Sequence, residues 1–161
     1  MRLTRAGEYA VRAVLYLCSK EAHQVVGRLE IAREMEIPAP FLAKIAQQLA
    51  RAGIVEIVQG SRGGVKLRVS PREVNLLNVV EAVEGEIFLN DCIMDPLSCR
   101  RSPFCSVYRV WNKARNQLRQ CLAEASFSSL LAEGLCELPP KVKQKDGTYG
   151  LEKGNHGSIL L

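Results

Sequence analysis

The chain has 161 residues, 47% of them apolar and 24% charged, a composition that fits one domain of ordinary size or a small domain with an arm. No run approaches the ~18 apolar residues of a membrane span, so a transmembrane protein is excluded. The net charge of +5 is unevenly placed: residues 1–70 carry 11 Lys/Arg against 6 Asp/Glu, whereas residues 71–161 carry 11 of each, which suggests a polyanionic partner for the first half.

Residues 1–19 are amphipathic and hold Arg5, Glu8 and Arg12, so they do not read as a signal peptide, and a cytoplasmic location is expected. In a reducing compartment the six cysteines are thiols or metal ligands rather than a disulfide framework. Thr4 can cap a helix reaching about residue 19, with Leu3, Ala6, Ala10, Val14 and Leu17 on one stripe. Cys18 lies near that stripe as a small core hydrophobe. A short helix follows Gly27 over 28–35, with Leu29, Ala32 and Met35 pointing inward. Pro38 and Pro40 can precede or open a helix but not sit inside one. The next helix therefore covers about 39–51, with Phe41, Ile45 and Leu49 inward beside Leu42 and Ala46. Gly53 ends it as the residue past the cap.

Residues 54–59 read as a strand, 60–64 as a glycine-rich turn and 65–69 as the returning strand. Helix, turn, helix and a basic-tipped hairpin is the layout of a winged helix-turn-helix, whose second helix enters the major groove of DNA. The expected fold is thus mainly α with a small β-hairpin wing. The candidate DNA contacts on the second helix and its approach are Pro38, Ala39, Pro40, Ala43, Lys44 and Gln47. Those on the wing are Gln59, Ser61 and Arg62, an arginine at such a tip being able to reach a phosphate or a minor groove. Arg2, Thr4 and Arg28 complete the set.

Leu76, Leu77, Val80 and Val83 define a further helix that stops at Gly85. Residues 90–105, NDCIMDPLSCRRSPFC, hold three cysteines spaced C-x6-C-x5-C, with Pro96, Pro103, Arg100 and Arg101 among them. The prolines make this a loop. Three thiolates on one short loop suit a metal site awaiting a fourth ligand. The spacing lacks the paired knuckles of structural zinc sites, and thiolate is the common protein ligand of iron–sulfur clusters. Zinc, a bare redox thiol and a purely structural loop stay open as alternatives. Arg100 and Arg101 would offset a cluster's negative charge.

From about residue 103 a long helix is expected, with Phe104, Val107, Trp111, Ala114, Leu118 and Cys121 on one stripe. Arg109, Lys113, Arg115 and Arg119 take the other face. Such a stripe on an arm suits pairing with a second copy through Val107, Trp111, Ala114 and Leu118. A short helix over 126–135 closes the fold, Cys121 and Cys136 reading as packing residues. Four segments result: a DNA-binding unit (1–85), a cysteine loop (86–105), a dimerisation and closing unit (106–138), and a tail (139–161) too poor in apolar residues to fold by itself. There is no phosphate-binding glycine motif and no Ser/His/Asp or Cys/His constellation. The two histidines, His23 and His156, fall in a loop and in the tail, so an enzyme is not expected.

Met1-Arg2-Leu3-Thr4, Glu8-Tyr9-Ala10, the helix pair over 31–53, the 60–64 wing and the three cysteines together resemble the Rrf2 family of bacterial winged-helix transcription regulators, the family of IscR, NsrR and RirA. The resemblance covers about residues 1–135. It implies a homodimeric repressor on a palindromic double-stranded DNA operator, whose long helices cross. It further implies an iron–sulfur cluster, 2Fe-2S or 4Fe-4S, on Cys92, Cys99 and Cys105. IscR-like members carry a His three residues after the third cysteine, where this chain has Tyr108. NsrR-like members take a carboxylate from the first helix of the other subunit, which Glu8 matches. Tyr108, Asp91 and Asp95 are competing donors. Gln59 stands where an arginine often precedes the wing glycine, with Arg62 as its replacement, and Ala43 stands where IscR-like proteins use an acid to read a base. The function expected is sensing of iron, redox or nitric-oxide state through the cluster; a metal-free thiol switch on the same repressor is the alternative.

Overall fold

The computed structural model describes residues 3–134 and the backbone of two short strands, Val142–Lys143 and Tyr149–Gly150. Helix α1 spans Arg5–Cys18. Thr4 caps it as expected, its hydroxyl oxygen accepting from the N–H groups of Ala6 at 3.2 Å and Gly7 at 3.4 Å. Ala10, Val14 and Leu17 are buried along the expected stripe, and Gly7, Ala13 and Cys18 widen it. Burial pushes the Cys18 thiol up to about 12, so this cysteine stays protonated and chemically quiet.

Helix α2 spans Arg28–Glu34. Leu29 does not point inward: it is 79% exposed, and Ile31 fills the core instead. A helix of seven residues is phased by its cap, where Ile31 N–H donates to the Gly27 carbonyl at 3.1 Å, more than by its own apolar count. Helix α3, Ala39–Arg51, opens after Pro38 with Pro40 in its first turn. Its buried arc runs through Leu42, Ile45, Ala46 and Leu49. Phe41, expected on that arc, is 49% exposed and rests edge-on against Tyr9 with ring centroids 5.9 Å apart. Gly53, at φ +74°, turns the chain out of the helix.

Strands β1 (Val55–Val58) and β2 (Gly64–Leu67) pair antiparallel, Val55 opposite Leu67 and Val58 opposite Gly64. Both are shorter than the expected 54–59 and 65–69. The hairpin is fastened to the helix pair by a bridge between Val26 and Val65. Gly64 permits this approach, since a Cβ there would lie 2.1 Å from the Val26 carbonyl oxygen.

Helix α4, Leu76–Glu84, begins with a capping box between Asn75 and Asn78 and ends at Gly85. Val79 and Val80 are its buried residues, with Leu76 and Val83 packed against the core. After the cysteine segment, helix α6 runs over Ser106–Glu124 and buries no residue. Helix α7, Phe127–Ala132, packs back on α1. Phe127 is wholly buried in the cluster that holds Val14, Ile45 and Leu49, and its N–H donates to the Val74 carbonyl at 3.0 Å.

On the face of α6 opposite the apolar stripe, Arg115 and Arg119 turn toward the end of α4 and pair with Glu86 and Glu81. Cys121, on the stripe expected to meet a second copy, is exposed in the single chain. In the tail, the two short strands pair antiparallel, Val142 opposite Gly150. Arg2, residue 135, Cys136 and His156 lie outside the described residues. No helix among the described residues is long and apolar enough to cross a membrane.

Candidate DNA interface and cysteine segment

The outer face of α3 presents Ala39, Pro40, Lys44 and Gln47 to solvent, with Pro38 exposed ahead of it and Ala43 half-buried. Between this face and the wing lies a groove of about 510 Å³, lined by Arg28, Ala43, Gln47, Gln59 and the wing glycines Gly60 and Gly63. No acid lines it. Arg62 and Ser61 are exposed at the hairpin tip. No acid among the described residues pairs with Arg28, Lys44 or Arg62, so three cations border the groove uncompensated. Unpaired cations flanking a recess at a helix face suit phosphate contacts, and the exposed amides of Gln47 and Gln59 can both donate and accept at base edges. Thr4, a further candidate, has its hydroxyl committed to the α1 cap and to Glu84.

The cysteine stretch is more ordered than a loop. Cys92 sits on the one-turn helix α5, Asp91–Met94. Cys99 follows a 3-10 turn at Pro96–Ser98, and Cys105 follows another at Ser102–Phe104. Each proline occupies an early position of its turn, where the missing N–H costs nothing. Asp95 is used locally, its carboxylate accepting from Leu97 N–H at 3.0 Å. Cys105 is the N-cap of α6, its Sγ accepting from Tyr108 N–H at 3.3 Å. All three cysteines are free and half-buried. Among the described residues, no three His, Cys, Asp or Glu side chains are gathered closely enough to hold a metal ion. Glu8 is exposed on the first turn of α1, and it makes no ion pair with Arg12, which lies over the Tyr9 ring at 5.6 Å.

Three features here were not foreseen from sequence. Ser102, between Cys99 and Cys105, is 6% exposed, and its hydroxyl has no hydrogen-bond partner among the described residues. Glu84, at the end of α4, accepts from the N–H groups of Thr4 at 3.2 Å and Gly7 at 3.1 Å and from the Thr4 hydroxyl, so it holds the start of α1. Gly7 leaves room for this carboxylate, since a Cβ there would meet it at 2.6 Å. One turn away, Glu81 accepts from Ile87 N–H at 2.9 Å and pairs with Arg119, while Arg115 donates to the Ile87 carbonyl at 2.8 Å and pairs with Glu86. Two sets of polar contacts therefore meet at the end of α4, one from α6, which Cys105 caps, and one from the start of α1. The one signal for the first set in the sequence is the pair of arginines at i and i+4 facing acids in the preceding segment.

The family model for Rrf2, described as an iron-dependent transcriptional regulator, matches residues 3–133. The chain belongs to the Rrf2 family. An Rrf2 relative, the transcriptional regulator NsrR of Bacillus licheniformis, is 27% identical over 132 residues, covering 81% of this chain and 92% of that one. The fold is shared with the IscR of T. potens, at a TM-score of 0.66, 22% identity, and 84% and 89% of the two chains. It is shared as well with CymR of B. subtilis, described as the global cysteine regulator, at a TM-score of 0.67, 19% identity, and 84% and 99% of the two chains. The winged helix-turn-helix expected from the order of elements is therefore the fold of this Rrf2 protein, and its function is that of a DNA-binding transcription regulator.

Proposed function

We propose that this Rrf2 regulator is a homodimeric repressor of a palindromic operator, and that an iron–sulfur cluster on Cys92, Cys99 and Cys105 sets its DNA affinity. The observation that carries the reading is the cysteine segment itself: three free, half-buried thiols within fourteen residues, directly ahead of the longest helix. The donor set fits a cluster. Thiolates are its common ligands, and the buried Ser102 hydroxyl is an orphaned donor beside two of them. Glu8 of the partner subunit is the fourth donor we favour, because it is exposed and forms no ion pair among the described residues. A bound cluster supplies iron that responds to electrons, oxygen and nitric oxide. The relatives' role as transcription regulators supports a regulator rather than an enzyme.

The chain's own residues supply the coupling. A change at the segment moves Cys105 and hence the start of α6. Arg115 and Arg119 pass that to Glu81 and Glu86, and Glu84 passes it to the first turn of α1, which packs on α3. Such a contiguous set can carry a coupling of about 1–3 kcal/mol between two sites. The second reading is a metal-free thiol switch. It asks only for free thiols, which all three cysteines supply.

Purification without oxygen separates the two. Brown protein with iron and acid-labile sulfide in equal amounts is expected, whereas colourless protein lacking both contradicts the cluster and leaves the thiol switch. The DNA face makes its own prediction. Arg62→Ala should weaken operator binding and lower the salt slope by about one, as loss of one phosphate contact does. Fluorescence anisotropy across a salt series reads this directly, and an unchanged slope and affinity would remove the wing tip from the interface.

A further inference from the structure

We propose that the Ser102 hydroxyl is a hydrogen-bond donor to the thiolate-bound metal group at Cys99 and Cys105, an inference that rests on those cysteines holding metal. Ser102 is pinned between the two by its backbone: its N–H donates to the Cys99 carbonyl at 3.0 Å, and its carbonyl accepts from Cys105 N–H at 3.3 Å. The hydroxyl is buried, and no described residue accepts from it or donates to it. A buried hydroxyl without a partner is a net cost to the fold, and the great majority of such groups in folded proteins are satisfied.

The neighbouring serine shows the contrast. Ser98 spends its hydroxyl on the Asp95 carbonyl at 2.7 Å, so a hydroxyl needed only to order this segment finds a backbone acceptor. Ser102 does not, and an alanine would pack in its place without the unpaired oxygen. Metal-bound thiolate sulfur is anionic and accepts hydrogen bonds, and donors around it raise the affinity of the site and tune its potential. Arg100 and Arg101 are exposed, so their charge acts through solvent, whereas the Ser102 donor is already desolvated.

Cobalt(II) titration of the full-length, metal-free protein under nitrogen tests this, read by thiolate-to-cobalt absorption, with thermal unfolding of each metal-free variant alongside. Ser102→Ala is expected to bind cobalt about tenfold more weakly, in the range typical for loss of a partner behind a metal ligand. Ser102→Thr, which keeps the hydroxyl, should restore most of the affinity. Metal-free Ser102→Ala should unfold at or above the parent's midpoint, because it sheds an unpaired buried oxygen. Equal cobalt affinity in Ser102→Ala overturns the assignment. So does a lowered midpoint without metal, which would show the hydroxyl already bonded, for instance to a buried water. Absence of cobalt absorption in the parent overturns it together with the metal-holding reading. Cobalt binding with the expected Ser102 dependence, in a protein that purifies without iron and sulfide, keeps the Ser102 assignment while the cluster falls.

Discussion

Cys92→Ser, Cys99→Ser and Cys105→Ser are each expected to purify anaerobically with iron and sulfide at background, whereas Cys121→Ser keeps the parent's content. The three lie on one segment of short turns, so removing any thiolate leaves an iron with a harder, weaker ligand or none. Cys121 lies some four turns along α6 from Cys105, on the exposed side of that helix. Cys18 is buried at the end of α1, its thiol pushed up to about 12, so Cys18→Ala should also leave the cluster untouched. Iron and sulfide assays with the visible absorption spectrum decide the matter. An intact cluster in Cys99→Ser, or a lost one in Cys121→Ser, would put the ligands elsewhere.

The second large effect concerns assembly. Helix α6 has 19 residues and none is buried, while Phe104, Val107 and Val110 are exposed on it or at its start and Trp111 is 41% exposed. So much apolar surface on a helix face without a partner among the described residues is the mark of an interface, and we propose that a second copy covers it. Val107→Asp and Trp111→Asp would each bury an unpaired carboxylate in that seam, at a cost of several kcal/mol. Both should sediment as monomers at micromolar concentration, where the parent is expected to sediment as a dimer. Val107 is the cleaner probe. With the Asn90 amide oriented to satisfy its neighbours, the Trp111 indole N–H donates to Asn90 at 3.1 Å, so loss of Trp111 also disturbs the chain's own segment. A stable dimer of Val107→Asp would move the interface off α6.

The features legible in the sequence were those fixed by local chemistry. Thr4 announced the start of α1, Pro38 and Pro40 the start of α3, and Gly53 and Gly85 two helix ends, because caps and turns are decided within a few residues. The outer face of α3, with Lys44 and Gln47, followed from the same periodicity. The direction of Leu29 and Phe41 was not legible, since the seven-residue α2 is phased by its cap and Phe41 turns onto the Tyr9 ring, a contact between two helices. The partners of Arg115 and Arg119 were not legible because Glu86 and Glu81 lie 29 and 38 residues away in the chain. Ser102 carried no signal, as its burial comes from two proline-led 3-10 turns that sequence alone flattens into a loop. The fourth ligand was likewise beyond local reading: Glu8 and the cysteines share no element, and only a second subunit can bring them together in our proposal.

DNA affinity measured under nitrogen tests most directly whether the cysteine segment governs this regulator. The duplex is the tightest one selected from a random pool, and the three samples are cluster-loaded protein, metal-free protein and Cys99→Ser. Loaded and metal-free protein should differ by about 5–150-fold, the usual span of a coupling between two sites, with Cys99→Ser matching the metal-free state. Equal affinity in all three would contradict it: the chain would still bind DNA, but the cysteines would have no hand in how tightly.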